Sequence, residues 1–247
     1  MDMIFEIILT LIIGMVAGFI GSIAGGGGLV SIPFLMFLGL PPQVAIATNK
    51  FGSVGLSLGA MYKFITKKKV IWKYVLPFSI LSITGGLFGA KLLIDLPQEL
   101  LTKIVGVVLL LLLPVIFIKD IGVKKRKTTR LQKSLGIILY FLLMIFGGFF
   151  GGGAGTLIFY CLMFFMGFTI IQANATDIIP WFLLSLSTLI FFMFQGVVDY
   201  YNGIALFFGM LIGSYFGAHT AIKKGNKWVR IVFALVVVAS GLKILFA

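Results

Sequence analysis

Charge is scarce in this sequence, and acid scarcer still. Asp and Glu together number 7, and all charged residues make up 11% of 247, against about 25% in a soluble domain. That excludes an ordinary water-soluble enzyme, and the 60% hydrophobic content excludes a disordered chain. A single cysteine, Cys161, rules out an internal disulfide and any multi-cysteine metal site. The one histidine, His219, sits on a distant segment, where a structural role outweighs proton relay. No H-E-x-x-H, Walker A or G-x-S-x-G pattern occurs, and no Lys-Ser/Thr follows the glycine run 25–28 to complete a phosphate loop. The expectation is a protein without catalytic residues, metal or cofactor.

What is abundant is apolar length. Mean hydropathy is +1.17. An all-α polytopic membrane protein follows, with about 8–10 segments at roughly 20 residues each. The net charge of +13 points to basic cytoplasmic loops over anionic lipid rather than to nucleic acid. Apolar segments cover 29–40, 46–62, 74–92, 104–118, 135–150, 156–168, 178–195, 204–222 and 231–247, after a first helix that opens with Asp2 and Glu6 rather than with the basic start of a signal peptide. The segments at 29–40 and 156–168 are too short to cross a core of about 30 Å unaided and read as half-helices or re-entrant pieces.

Sixteen of the 20 basic residues fall in connectors 63–73, 119–133 and 223–230, whereas 93–102 and 195–203 carry Asp95, Glu99 and Asp199. The positive-inside rule places the three basic connectors in the cytoplasm and the termini outside. A smaller share of the expectation for 119–133 is headgroup or partner binding.

A shift of 128 residues superposes the two halves. Gly39 falls on Gly167, Ala45, Ala47 and Thr48 on Ala173, Ala175 and Thr176, and Ser57 on Ser185. Upstream, GFIGSIAGGGG (18–28) faces GFFGGGAG (148–155) with a small change of offset. The basic connector 63–73 maps onto the uncharged-to-acidic 191–201. Matching connectors therefore lie on opposite faces, and the halves are inverted, with about five elements each. The chain divides into a first transmembrane repeat (1–118), a basic linker (119–133) and a second repeat (134–247). Inverted repeats are common in transporters, which hold substrate between discontinuous helices.

Two constellations carry chemistry. Gly25, Gly26, Gly27 and Gly28, and Gly151, Gly152, Gly153 and Gly155, are helix breaks, since each glycine costs about 1 kcal/mol against Ala in a helix. Backbone laid bare in a membrane survives only against protein or a wet cavity, and the helices that follow aim free N–H groups at that cavity, which suits an anion. Scattered glycines such as Gly86, Gly89, Gly209, Gly213 and Gly217 read instead as helix packing. The second constellation is Thr48, Asn49 and Lys50 with Thr176 and Asp177. Asn49 and Asp177 read equally as N-caps or as ligands. Lys50 faces an anion or snorkels to the interface, and Asp177 is a proton carrier, a cation ligand or a cap. Trp181, Ser57, Ser185, Asn174 and Gln172 rank behind them.

The pattern G-x-x-A-G-G-G-G-L-x-x-x-P at Gly21 to Pro33, followed by L-G-L-P-P-x-x-A-x-A-T-N-K at 38–50 and a degenerate copy in the second half, resembles the TauE/SafE family of sulfite exporters. The second copy departs from it, with Cys161 opposite Pro33 and Asp177 opposite Asn49. The resemblance implies a secondary transporter in a bacterial-type inner (cytoplasmic) membrane. Its implied cargo is a small anion such as sulfite or a sulfonate, moved by alternating access, chiefly outward, with Asp177 as the candidate for proton coupling. Expected partners are the anionic solute and membrane lipid, with no nucleic acid; the sequence leaves a homo-oligomer open. The alternatives are an ion channel or cation transporter, and a membrane assembly or scaffold protein.

Overall fold

A computed structural model describes residues 3–97 and 127–245 of the chain. The apolar segment 104–118, most of the 119–133 linker and the boundary between the repeats lie outside them. No strand occurs among the described residues, which form eight helices: α1 (Met3–Ala24), α2 (Gly28–Phe37), α3 (Pro42–Thr66), α4 (Trp72–Asp95), α5 (Arg130–Phe149), α6 (Ala154–Phe165), α7 (Ile170–Phe194) and α8 (Tyr200–Leu245). α8 is interrupted at Gly225, whose backbone is non-helical. Five of the helices are long and apolar enough to cross a membrane: α1, α4, α5, α7 and α8 as far as Val229. α3 is just as long, but Lys50, Lys63 and a row of Ser, Thr and Asn lower its hydropathy.

Several helices extend beyond the apolar runs that announce them. α3 and α7 start at Pro42 and Ile170, well before 46 and 178. Each first turn carries one glutamine, Gln43 or Gln172, and the second turns are more polar, yet Thr48, Asn49, Lys50, Asn174, Thr176 and Asp177 are buried in protein, so the helix continues where the hydropathy dips. The run 204–222 and the described part of 231–247 lie on either side of the non-helical Gly225 within α8, as two helical stretches.

α3 and α7 form the centre. α1 and α3 pack on α8, α5 and α7 pack on α4, and α3 packs on α7. The outer helices turn large apolar side chains outward at three- to four-residue spacing, as in Ile4, Ile8 and Ile12 of α1 and Leu131, Leu135 and Ile138 of α5. That is the pattern of a lipid-facing stripe. Glycines let these helices approach backbone to backbone. A Cβ on Gly209 would stand 3.0 Å from the Gly14 Cα, and one on Gly86 2.7 Å from the Leu184 side chain.

The backbone repeats with the 128-residue shift. Left-handed φ angles occur at Gly25 and Gly153, Gly39 and Gly167, and Lys68 and Gly196. A pair of hydrogen bonds follows the same shift. Thr48 Oγ1 accepts from the Asp199 N–H at the start of α8 (2.9 Å), and Thr176 Oγ1 accepts from the Ile71 N–H at the start of α4 (3.1 Å).

Contacts of this kind sort the molecule into two ends. At one, Gln43 donates to the Leu93 and Leu96 carbonyls, Asn202 donates to Glu6 and accepts from Thr10, and Asp95 and Asp199 lie close by. At the other, the Ile171 N–H donates to Asn226, Tyr74 meets Phe168 edge-on, and Lys67, Lys68, Lys69, Lys73, Arg130, Lys133, Lys223 and Lys224 gather. α3 runs from the acidic end to the basic end and α7 returns. Apart from Asp177, every acidic residue among the described ones lies at the acidic end.

Candidate functional site

Each half begins with a helix, a glycine break and a short helix. α1 ends at Ala24, Gly25 takes a left-handed φ of 72°, and α2 begins at Gly28. α5 ends at Phe149, Gly151 and Gly153 are left-handed at 78° and 75°, and α6 begins at Ala154. With 10 and 12 residues, α2 and α6 reach only about 15 and 18 Å. α2 runs to the acidic end and α6 to the basic end, so their starts lie about halfway between the two.

The two breaks meet. A Cβ on Gly155 would stand 2.6 Å from the Gly25 oxygen, and one on Gly28 3.0 Å from the Gly152 Cα. Thr156 Oγ1 donates to the Ala24 carbonyl (2.9 Å), and Asn174 Nδ2 donates to the Ser22 carbonyl. Among the described residues, no backbone acceptor receives the N–H of Gly27, Gly28, Gly152 or Gly155. These are the free donors expected at helix starts.

Beside the junction lies a small, partly open cavity. Gly21, Gly25, Gly27, Gly28, Gly151 and Gly155 supply backbone to its wall, and Ser53, Asn174, Asp177 and Trp181 supply polar side chains and an indole. Leu56, Phe159, Ile178 and Met210 complete an apolar side. Asn174, Asp177, Ile178 and Trp181 all come from one face of α7, at helical spacing.

The residues singled out by sequence divide into groups. Gly25, Gly27, Gly28, Gly155, Asp177 and Trp181 line the cavity; Gly26, Gly152 and Gly153 belong to the breaks but not to its lining. Thr48 and Thr176 are fully buried and turned to opposite ends, each holding the first N–H of a helix from the other half. Asn49 accepts from Ser31 Oγ of α2 and stays beside the first break. Lys50 does not snorkel. It is 1% exposed, and its Nζ donates to the Gly147 carbonyl at the end of α5 (2.6 Å). Its Nζ is 5.9 Å from the centre of the Trp181 ring. A lysine on the last carbonyls of a helix caps it and complements its dipole. Among the described residues no carboxylate pairs with it.

The N-cap reading of Asn49 and Asp177 is corrected. The cap positions are Pro41, with Pro42 as the first helical residue, and Thr169, whose side chain bonds reciprocally with Gln172 in a capping box. Asn49 and Asp177 come two turns later, inside the protein, where capping is not available to them. Gln172, ranked for the cavity, belongs to that box. Ser57 donates to its own helix at the Ser53 carbonyl, and Ser185 is buried with no partner for its hydroxyl.

Asp177 is 2% exposed. Its Oδ1 accepts from the Tyr140 hydroxyl of α5 at 2.7 Å. Tyr140 and Ser31 carry no sequence signal: each is an isolated residue in an apolar helix and acquires meaning only once α5 and α2 are docked. Among the described residues no group of three metal-ligating side chains occurs.

The sequence model of the sulfite exporter TauE/SafE family matches residues 10–244. The chain is 29% identical over 219 residues to a probable membrane transporter protein of Haemophilus influenzae, covering 88% of this chain and 86% of that one. It is 30% identical over 237 residues to the probable membrane transporter protein YfcA of Escherichia coli K12, covering 95% and 87%. It is 27% identical over 267 residues to the probable membrane transporter protein YunE of Bacillus subtilis, covering 97% of each. No solved structure matches. With glycine-broken helices meeting at a polar cavity, an all-helical membrane architecture and a family match across nearly its whole length, the chain belongs to the sulfite exporter TauE/SafE family.

Proposed function

We propose that this protein is a secondary transporter for a small anion, sulfite or a related organosulfur anion, in the bacterial cytoplasmic membrane. Two inverted repeats work it by alternating access. The observation that carries this reading is the meeting of the two glycine breaks beside a cavity, with free N–H groups from both halves. Helix starts present positive dipole ends and donors to an anion, and the buried Lys50 places its amine beneath the second break. The antiparallel course of α3 and α7, and the paired threonine bonds at opposite ends, support the inversion. Breaking one threonine bond frees one end while the other stays held.

The basic end is the cytoplasmic one by the positive-inside rule. An inside-negative potential then favours anion exit by about 2.3 kcal/mol per charge per 100 mV, which supports export. Proton exchange at Asp177 supplies coupling.

Asp177 also favours a second reading, cation transport. Purified protein in liposomes separates the two. Radiolabelled sulfite or methanesulfonate should leave loaded vesicles faster than from protein-free controls, while rubidium and sodium stay inside. Cation flux without anion flux would overturn the proposal, and flux of neither would favour the scaffold alternative.

A further inference from the structure

Asp177 does not stand alone in the wall. Its Oδ1 accepts from Tyr140, whose hydroxyl lies 3.3 Å from Ser82 Oγ of α4. All three side chains are buried. The Tyr140 ring stacks on Phe78 of α4, with centroids 4.2 Å apart and planes 21° from parallel. Ring and hydroxyl are therefore both held, from the same neighbouring helix. Among the described residues the second carboxylate oxygen, Oδ2, accepts no hydrogen bond. With Asp177 in the cavity wall and Oδ1 held by Tyr140, Oδ2 is the oxygen left free to meet the cavity.

We propose that Tyr140, braced by Ser82 and Phe78, is the positioning residue of Asp177. Its hydroxyl fixes Oδ1, aims Oδ2 at the cavity, and sets the pH at which Asp177 takes up and releases its proton there. The inference rests on the reading of Asp177 as the proton carrier. The proton arrives on Oδ2 and leaves from it, so no other bond is made or broken. A donor to a carboxylate stabilises the charged form, so the Tyr140 bond favours release. The other titratable groups around Asp177 hold backbone carbonyls. Lys50 of α3 donates to Gly147, and the Cys161 thiol of α6 donates to the Gly136 carbonyl. α1 and α8 meet the cavity only with Gly21, Gly25, Gly27 and Met210, Gly27 lying in the break after α1.

Infrared titration of the whole protein in lipid nanodiscs tests this without any substrate. A protonated-carboxyl band absent from Asp177→Asn should appear as pH falls. In Tyr140→Phe, which keeps the ring on Phe78, its midpoint should move to higher pH by roughly one unit, a tenfold change in proton affinity, and the band position should shift as Oδ1 loses its donor. Ser82→Ala should move the midpoint in the same direction by less. An unchanged midpoint and band in Tyr140→Phe would overturn the proposal, as would an Asp177 carboxyl that never titrates in the wild-type protein. Methanesulfonate, which holds its charge across this range, serves for a parallel liposome flux. If the band shifts but flux is flat with pH in every variant, the positioning role stands and proton coupling falls.

Discussion

α3 and α7 match in length and register and differ in charge. α3 and α7 are 25 residues each, begin 128 positions apart and end 128 positions apart. Each spends its second turn on a threonine that holds the opposite half, at Thr48 and Thr176. The next positions diverge: Asn49 and Lys50 in α3, Asp177 and Ile178 in α7. Asn49 bonds within its own half, to Ser31. Lys50 crosses to the other half's break, and Asp177 opens onto the cavity. The repeat thus builds a symmetric frame, and substitution at a single pair of turns makes the site polar in one direction.

The largest effect should come from the point where the halves touch. Gly155→Ala places a methyl against the Gly25 backbone, 2.6 Å from its oxygen and 2.8 Å from its Cα, and neither atom can swing aside. Liposome flux should fall below detection, with a stability loss of about 1–3 kcal/mol from overpacking. Gly196→Ala is the control: at φ 67° it carries a left-handed strain that the helical Gly155 lacks, but nothing lies within 4 Å. Its flux should be kept. Equal flux in the two variants would show that the junction is not the transport path.

Next come the divergent turns. Asp177→Asn should abolish the pH dependence of flux and gradient-driven accumulation while leaving exchange measurable. The mirror change, Asn49→Asp, should weaken sulfonate affinity by about tenfold or more, because it adds a negative charge in a poorly screened site. Lys50→Met keeps the length of the side chain but strands the Gly147 carbonyl. It should weaken affinity and cost about 1–3 kcal/mol of stability for the unpaired group. Unchanged affinity in both Asn49→Asp and Lys50→Met would leave only the helix starts to bind the anion.

The threonine pair should show smaller, opposite effects. A buried hydrogen bond contributes about 1 kcal/mol, so losing one shifts a two-state population by roughly fivefold. Thr48→Val releases the acidic end and Thr176→Val the basic end. Ser53→Cys in a Cys161→Ala background places a reporter thiol in the cavity wall. Its labelling from outside should rise in the first variant and fall in the second. Shifts in the same direction would break the pairing of the halves.

How much of this was readable from sequence follows from range. The glycine breaks and the 128-residue register are local or periodic, so Gly25, Gly39, Gly153 and Gly167 stood out without coordinates, and all four prove left-handed. Thr48 and Thr176 stood out as a pair, but their roles did not. Each partner lies more than 100 positions away, and no spacing rule reaches that far. Tyr140, Ser82 and Ser31 lie nearer their partners along the chain, but each meets its partner only when separate helices dock. For Lys50 only the snorkelling alternative fails, and for a different reason. A lysine near a helix start is ordinarily drawn to water, and only the open carbonyl of Gly147, on a helix from the other half, lets it stay inside. α3 and α7 were read short because polar residues usually mark helix ends, whereas here they mark the interior of the protein.

The smallest effect tests the frame alone. The left-handed position that follows α7 is Gly196, at φ 67°, and its counterpart after α3 is Lys68, at φ 52°. A side chain in this region costs about 1–2 kcal/mol through contact of its Cβ with the backbone, and the greater freedom that glycine loses on folding returns about 0.5–1 kcal/mol of that. Lys68→Gly should therefore stabilise the protein by roughly 0.5–1 kcal/mol, a rise of about 1–4 °C in Tm at this size. Flux should not change, because Lys68 is exposed at the basic end, far from the junction. Gly196→Lys should lower Tm by a similar amount. If Lys68→Gly instead lowers Tm, Lys68 makes a favourable contact at the membrane surface that outweighs its backbone strain. The two halves would then differ at their ends as well as at their centre, and the symmetric frame would be confined to the helices.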